Sequence, residues 1–298
     1  MKIAICICFS KKNKSYHQNF LSSLNKMIIP ASCDLSIYLI INNNLEYSKD
    51  LILKILDNPK IKIKILKTSK KNIPFTRNIF LKAIKSKDFK YIGFLDDDCS
   101  IDRNWLLSMT KFINKNNCDI VGGPQLHIST LHKYRLFYDF IEPKYRDKQK
   151  INWIATNNCF LKKKIINIKN CKFDERLKNI GGSDQLFFKK LKISGSLIMW
   201  NINAKVTEYS QKDRENINWF LKRNFRYGFS GLFIDQSVFG KKIGYFINIF
   251  KIIYLLNLSI FELIKILKLY NFFKSLFYLS RAAGRIFAMT KFKIKKYH

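Results

Sequence analysis

The run Phe94-Leu95-Asp96-Asp97-Asp98 places three carboxylates directly after a short apolar segment, in a chain with 55 Lys+Arg, only 21 Asp+Glu and a net charge of +34. Adjacent acids repel one another unless a cation neutralises them. Tyr91-Ile92-Gly93-Phe94-Leu95 has the β-branched and aromatic content of a buried strand. The acids therefore fall at its carboxyl end, where open α/β sheets bind their ligands. Hard oxygen donors favour Mg²⁺ or Mn²⁺, bridged to a phosphate-bearing substrate rather than caged by protein alone. The competing reading is a solvated acidic turn, with Asp102 capping a helix that begins near Trp105.

A second group lies downstream. Gly181-Gly182-Ser183-Asp184 opens a helix carrying Leu186, Phe187, Phe188 and Leu191, so Asp184 is either a helix cap or a carboxylate open to approach beside a glycine turn. Arg223 and Arg226 stand at i and i+3 on one helical face, where they either hold an anionic group or are solvated.

Positioning these residues requires a sheet. Apolar β-rich runs recur at 3–9, 35–41, 61–66, 91–95 and 118–122, with helical spacing in Phe20-Leu21-Leu24-Met27 and Leu51-Ile52-Ile55-Leu56 and over 76–87 and 103–116. That alternation predicts a mostly parallel α/β sheet with helices on both faces. Residues 124–153, with Pro124, Pro143 and mixed charge, read as an irregular loop over the site, and Ile154–Leu161 as a strand. No dinucleotide-binding or P-loop glycine motif is present. Cys6, Cys8, Cys33, Cys99, Cys118, Cys159 and Cys171 lack zinc-site spacing and read as reduced, mostly buried thiols. The amino-terminal run Met1–Phe9 reads as a strand and not a signal peptide.

From about residue 240 the chain becomes a series of basic amphipathic helices, with Glu262 the only acid. Lys251, Asn257 and Glu262 interrupt each window of the roughly 20 apolar residues that a spanning helix needs. The expected arrangement is a helix lying in the membrane interface with lysines at the headgroups, or helices packed on the catalytic domain, with transmembrane anchoring less favoured. A net +34 predicts an anionic partner surface, which places the chain peripherally at the cytoplasmic face of the plasma membrane. Modules for nucleic-acid binding are absent from the sequence.

The ordered set of motifs resembles the inverting family 2 glycosyltransferases with the GT-A fold. It comprises Ile5–Cys8, Ile73-Pro74-Phe75-Thr76-Arg77-Asn78, Tyr91–Asp98, Ile120–Pro124, Asn158–Leu161, Phe173-Asp174-Glu175-Arg176, Gly181–Phe188 and Trp219–Gly228. The resemblance implies a catalytic domain over 1–235 and a membrane-associating region over 236–298. It implies a hexosyltransferase that moves a sugar from a nucleotide-diphosphate donor, a UDP-sugar foremost, to a glycan or lipid-linked acceptor in surface-polysaccharide synthesis. By residue, it implies Asp184 as general base; Cys8, Ser10, Asn42, Arg77 and Asp96 at the nucleotide-sugar; Asp98 and Asp96 at the metal; and Asn158, Gly182, Arg223 and Arg226 at the acceptor or a phosphate. The chain departs from the pattern at Ser183, Asn42 and Phe9-Ser10, and Glu208 stands where a metal-binding His is common. The competing functions are a degenerate basic binding protein for RNA or anionic lipid and a metal-dependent nucleotidyltransferase.

Overall fold

The computed structural model describes residues 1–9, 14–42, 52, 54–129, 132–169, 171–265 and 269–290. The residues fall into two compact units. The first comprises Met1–His127, Pro143–Glu175 and Phe187–Tyr209, and the second Ile128–Glu142, Arg176–Leu186 and Ser210–His298.

The first unit is built on β1 (Lys2–Phe9), β2 (Asp34–Asn42), β3 (Ile61–Thr68), β4 (Tyr91–Asp96), β6 (Ile120–Gly122), β8 (Asn158–Lys162) and β9 (Ile198–Trp200). These strands form one sheet in the order β3-β2-β1-β4-β8-β6-β9. β1, β2, β3 and β4 run parallel to one another, as β6 does to β9, and only β8 pairs antiparallel, with β4 and β6. The expected mostly parallel α/β sheet is therefore present. Near-continuous apolar runs suit it because both faces are covered. Ile3, Ile5 and Ile7 of β1 pack in one core, while Ala4, Cys6 and Cys8 pack in the other.

Helices α1 (Lys14–Asn25), α2 (Ile73–Ala83), α3 (Trp105–Lys115) and α5 (Lys163–Lys169) belong to this unit. The Asn72 side chain caps α2 by accepting from Phe75 N at 3.1 Å, with Pro74 in the first turn where its missing N–H costs nothing. Asn104, and not Asp102, holds the cap position of α3. The Asp102 carboxylate instead accepts from Asn104 N at 2.8 Å in a local turn. The stretch read as a strand over Ile154–Leu161 is extended only from Asn158. Of the helical spacing read at 51–56, Leu51 lies outside the described residues.

A second, three-stranded sheet, ordered β5-β10-β7, consists of β5 (Cys99–Ile101), β7 (Gln125–Ile128) and β10 (Val206–Tyr209). It corrects the reading of 124–153 as an irregular loop. Gln125–Ile128 is a strand, and His132–Ile141 is a helix, α4, that belongs to the second unit. Phe137 and Tyr138 of α4 pack edge-on to Phe220, at 5.2 and 5.1 Å between ring centroids.

The second unit is otherwise helical: α7 (Ile217–Phe239), α8 (Lys241–Ile264) and α9 (Leu269–Met289), together with the first turn of α6 (Ser183–Ile193). Residue 235 lies within α7. The helices approach at glycines: a Cβ on Gly228 would strike the Arg281 carbonyl, and one on Gly284 the Phe225 carbonyl. Their interior is polar. Asp235, 1% exposed, receives Lys251 at 2.7 Å and Arg285 at 3.2 Å, and Lys274 reaches Glu262 at 2.6 Å. Lys251 and Glu262, the residues that interrupt the apolar windows in sequence, thus carry paired charges. Among the described residues, α8 is the one helix long and apolar enough to cross a membrane.

Candidate active site

The strand order turns outward from β1 in both directions, so the crevice of this sheet opens between the carboxyl ends of β1 and β4. In that register Cys8 pairs with Asp96. Asp96 is the last residue of β4, and its carboxylate lies 3.4 Å from Arg77 of α2. Arg77 is further held over the Phe173 ring, 5.6 Å from its centroid. Arg77 thus takes the ion pair with a neighbouring acid, at the same edge where a diphosphate contact was expected.

The three acids separate by function of place. Asp97 turns into the protein and receives a 3.0 Å hydrogen bond from His17 Nε2 on α1, with both side chains buried. Asp98 turns toward the small sheet. Its carboxylate, the Cys99 thiol and the Glu208 carboxylate each offer one donor atom, all within 4.8 Å of one another, and all three residues are buried. Strand pairing sets this convergence, because Glu208 of β10 lies opposite Cys99 of β5. His127 Nε2 is 3.3 Å from Glu208, Gln125 donates to the same carboxylate, and Asn157 donates to Gln125.

Two buried carboxylates facing each other suit a hard divalent cation, which neutralises both and takes its remaining ligands from waters or phosphate oxygens. The Cys99 thiol is a soft donor ill matched to that cation. It packs in the core and lies 3.8 Å from Asp98, as a weak donor to the carboxylate. The fit is therefore to Asp98 and Glu208.

In the second unit, Gly181 and Gly182 adopt φ of +84° and +81°, a left-handed pair that L side chains rarely adopt. A Cβ on Gly182 would come 2.8 Å from Ile234 Cδ1, and one on Gly181 3.1 Å from Arg226 Nη2. The turn hands the chain to α6, whose second residue is Asp184, half-buried. Burial, and then the nearby Arg223 guanidinium, hold Arg226 below the usual arginine range. Arg223 itself donates from Nε to Tyr227 Oη at 2.6 Å and sits over Trp219.

The expected residues therefore fall in two groups: Cys8, Arg77, Asp96 and Asp98 in the first unit, and Gly182, Asp184, Arg223 and Arg226 in the second. Asn158 belongs to neither in the expected sense. Its buried amide accepts from the Trp105 indole at 2.7 Å and donates to Pro124 O at 3.0 Å and Ala204 O at 2.7 Å. Those bonds occupy the side chain and make it a clamp between β8 and the turn after β6. Ser10 lies outside the described residues, and of Asn42 only the backbone pairing with Thr68 is described. Sequence reasoning missed His17, His127, Gln125 and Asn157. The available signal was that the chain has only 4 histidines, yet two are buried against acids.

The glycosyl transferase family 2 model matches residues 4–167, more than half of the chain. The succinoglycan biosynthesis protein ExoM of Rhizobium meliloti (strain 1021) is 27% identical over 161 residues, covering 53% of this chain and 51% of ExoM. The chain thus spans about half the length of that curated relative. Among solved structures, S. aureus TarS is 14% identical with a TM-score of 0.55, covering all of this chain and 56% of that one. The 1–349 portion of TarS in complex with UDP-GlcNAc is 13% identical with a TM-score of 0.57, covering 97% of this chain and 92% of that one. These structural likenesses establish the GT-A-like fold. The match of the family model over both the β1–β4 crevice and its acidic edge makes this chain a member of glycosyl transferase family 2.

Proposed function

We propose that this protein is an inverting glycosyltransferase that moves a sugar from a nucleotide-diphosphate donor, most simply a UDP-sugar, to a hydroxyl of a glycan or lipid-linked acceptor. It works in cell-surface polysaccharide synthesis at the cytoplasmic face of the plasma membrane. The observation that carries this reading is the convergence of Asp98 and Glu208 directly after a family 2 strand whose last residue, Asp96, pairs with Cys8 at the ligand-binding edge of the sheet. The relatives support it: ExoM is named for succinoglycan biosynthesis, and TarS has been crystallised with UDP and with UDP-GlcNAc.

Asp98 and Glu208 would hold a divalent cation, Mg²⁺ or Mn²⁺, which supplies positive charge for the departing diphosphate. Asp96 and Arg77 border the nucleotide, with Cys8 lining the floor of the crevice. The acceptor oxygen attacks the anomeric carbon as the bond to the diphosphate breaks, the bonding pair leaves with UDP, and the acceptor proton passes to Asp184. Attack opposite the leaving group inverts the anomeric centre. Arg223 and Arg226 hold an anionic part of the acceptor, with Arg226 beside the Gly181-Gly182 turn.

Two variants test the assignment. Asp98→Asn should lose metal-dependent UDP binding and lower UDP release about a thousandfold, as expected when several kcal/mol of charge stabilisation is removed. Asp184→Asn should lower transfer about 10²- to 10⁴-fold while UDP binding persists. Wild-type turnover by Asp184→Asn would remove the base assignment. Release of pyrophosphate in place of UDP would make the protein a nucleotidyltransferase, and salt-sensitive RNA binding without UDP binding would make it a binding protein.

A further inference from the structure

We propose that the outward face of α8 is sunk in the acyl-chain layer of a lipid bilayer, held by hydrocarbon burial and not by headgroup charge. The helix has the polarity of a membrane element. The side it turns inward carries Gly244, Asn248, Leu255, Ser259 and Glu262. The side it presents outward carries Phe246, Phe250, Ile253, Tyr254, Ile260 and Ile264, with Phe250 71% and Ile264 77% exposed. Only 22% of its apolar 18-residue window is buried. A water-soluble helix carries the opposite pattern, and an apolar strip of this size in water marks an interaction site.

Of the four charged residues in the helix, the two beyond its first turn, Lys251 and Glu262, are arranged as hydrocarbon requires. Lys251 Nζ bonds both oxygens of Asp235 at 2.7 Å, and Glu262 is held by Lys274. Arg285 completes the first group, reaching Asp235 at 3.2 Å and Asn248 Oδ1 at 2.6 Å. Ionisable groups at membrane depth face the bundle interior and pair there. Lys241 and Lys242 at one end and Lys265 at the other remain exposed, where headgroup phosphates would meet them. At about 1.5 Å per residue the 24 residues extend roughly 36 Å, enough to use the full depth or an equal length of hydrocarbon. Lipid fits the strip better than a second copy of this chain, because two copies would bring lysine-bearing ends and two +34 chains together.

The full chain, purified in detergent and mixed with vesicles, should float with neutral phosphatidylcholine as well as with anionic phosphatidylglycerol, and should stay bound in high salt. Binding confined to anionic vesicles and released by salt would overturn the proposal, as would failure to float together with a dimer in size-exclusion chromatography. Phe250→Asp with Ile253→Asp should weaken partitioning into neutral vesicles about a hundredfold for each charge placed in hydrocarbon, with an unchanged thermal unfolding midpoint. In a folded Tyr254→Trp variant, the added fluorescence should be quenched by bromines placed deep on the acyl chains. Quenching only by headgroup-level probes would overturn the insertion. None of these readouts depends on sugar transfer, so their failure leaves the transferase reading standing.

Discussion

Among their buried acids, the first unit sets two against each other and the second sets two against basic side chains. In the first, Asp98 and Glu208 converge on each other with a thiol, an amide and His127 around them. In the second, Asp235 and Glu262 are each met by lysine or arginine from a neighbouring helix. A cation tethered to the chain gives permanent neutrality, whereas facing carboxylates suit a cation that arrives with substrate. Asp97 sits between these cases, because its buried carboxylate takes its hydrogen bond from the imidazole of His17.

The contrast can be broken most strongly from the helical side. Asp235→Ala leaves Lys251 and Arg285 without their shared acid, and the second unit should lose about 3–5 kcal/mol of stability, read as a lowered denaturation midpoint. A loss below about 1 kcal/mol would show that the group is solvated, and would weaken the contrast. His17→Gln is expected to cost about 1–3 kcal/mol by leaving buried Asp97 without its present partner. It should also weaken Mn²⁺-dependent UDP binding, because Asp97 sits between Asp96 and Asp98. Unchanged affinity in a folded variant would confine His17 to stability alone. At the bottom of the scale, Lys62→Met removes an exposed pair with Asp34 and should move the midpoint by no more than about 0.5 kcal/mol.

The sheet was legible because its strands are local. The runs at 3–9, 35–41 and 91–95 are largely apolar on both faces, and 61–66 alternates isoleucine with lysine, so each declares itself without knowledge of its neighbours. Asp96 and Asp98 were legible for the same reason. The partners of those acids were not: Glu208 lies 110 positions from Asp98, and His127 sits on a four-residue strand too short to show a period. The polar partners within α8 are hidden in the sequence for a related cause. Lys251 and Glu262 look like interruptions until their partners, 16 and 12 residues away on other helices, are known. Asn158 was recognised as important, but its importance comes from three hydrogen bonds made at a distance in sequence.

Gly228 and Gly284 bear on how such a protein can be inherited. Each occupies a spot where the opposite helix leaves no room for a single carbon beyond the backbone. Inserting or deleting one residue in either helix would bring a side chain to that spot, so α7 and α9 must change in step or not at all. A chimera that takes its last helix from a relative while keeping its own α7 should fail to assemble. A cut before Asn216 moves α7, α8 and α9 together but leaves α4 behind, so Phe137 and Tyr138 must still fit the incoming Phe220. α7, which carries Arg223 and Arg226, and α9 are therefore exchangeable only together.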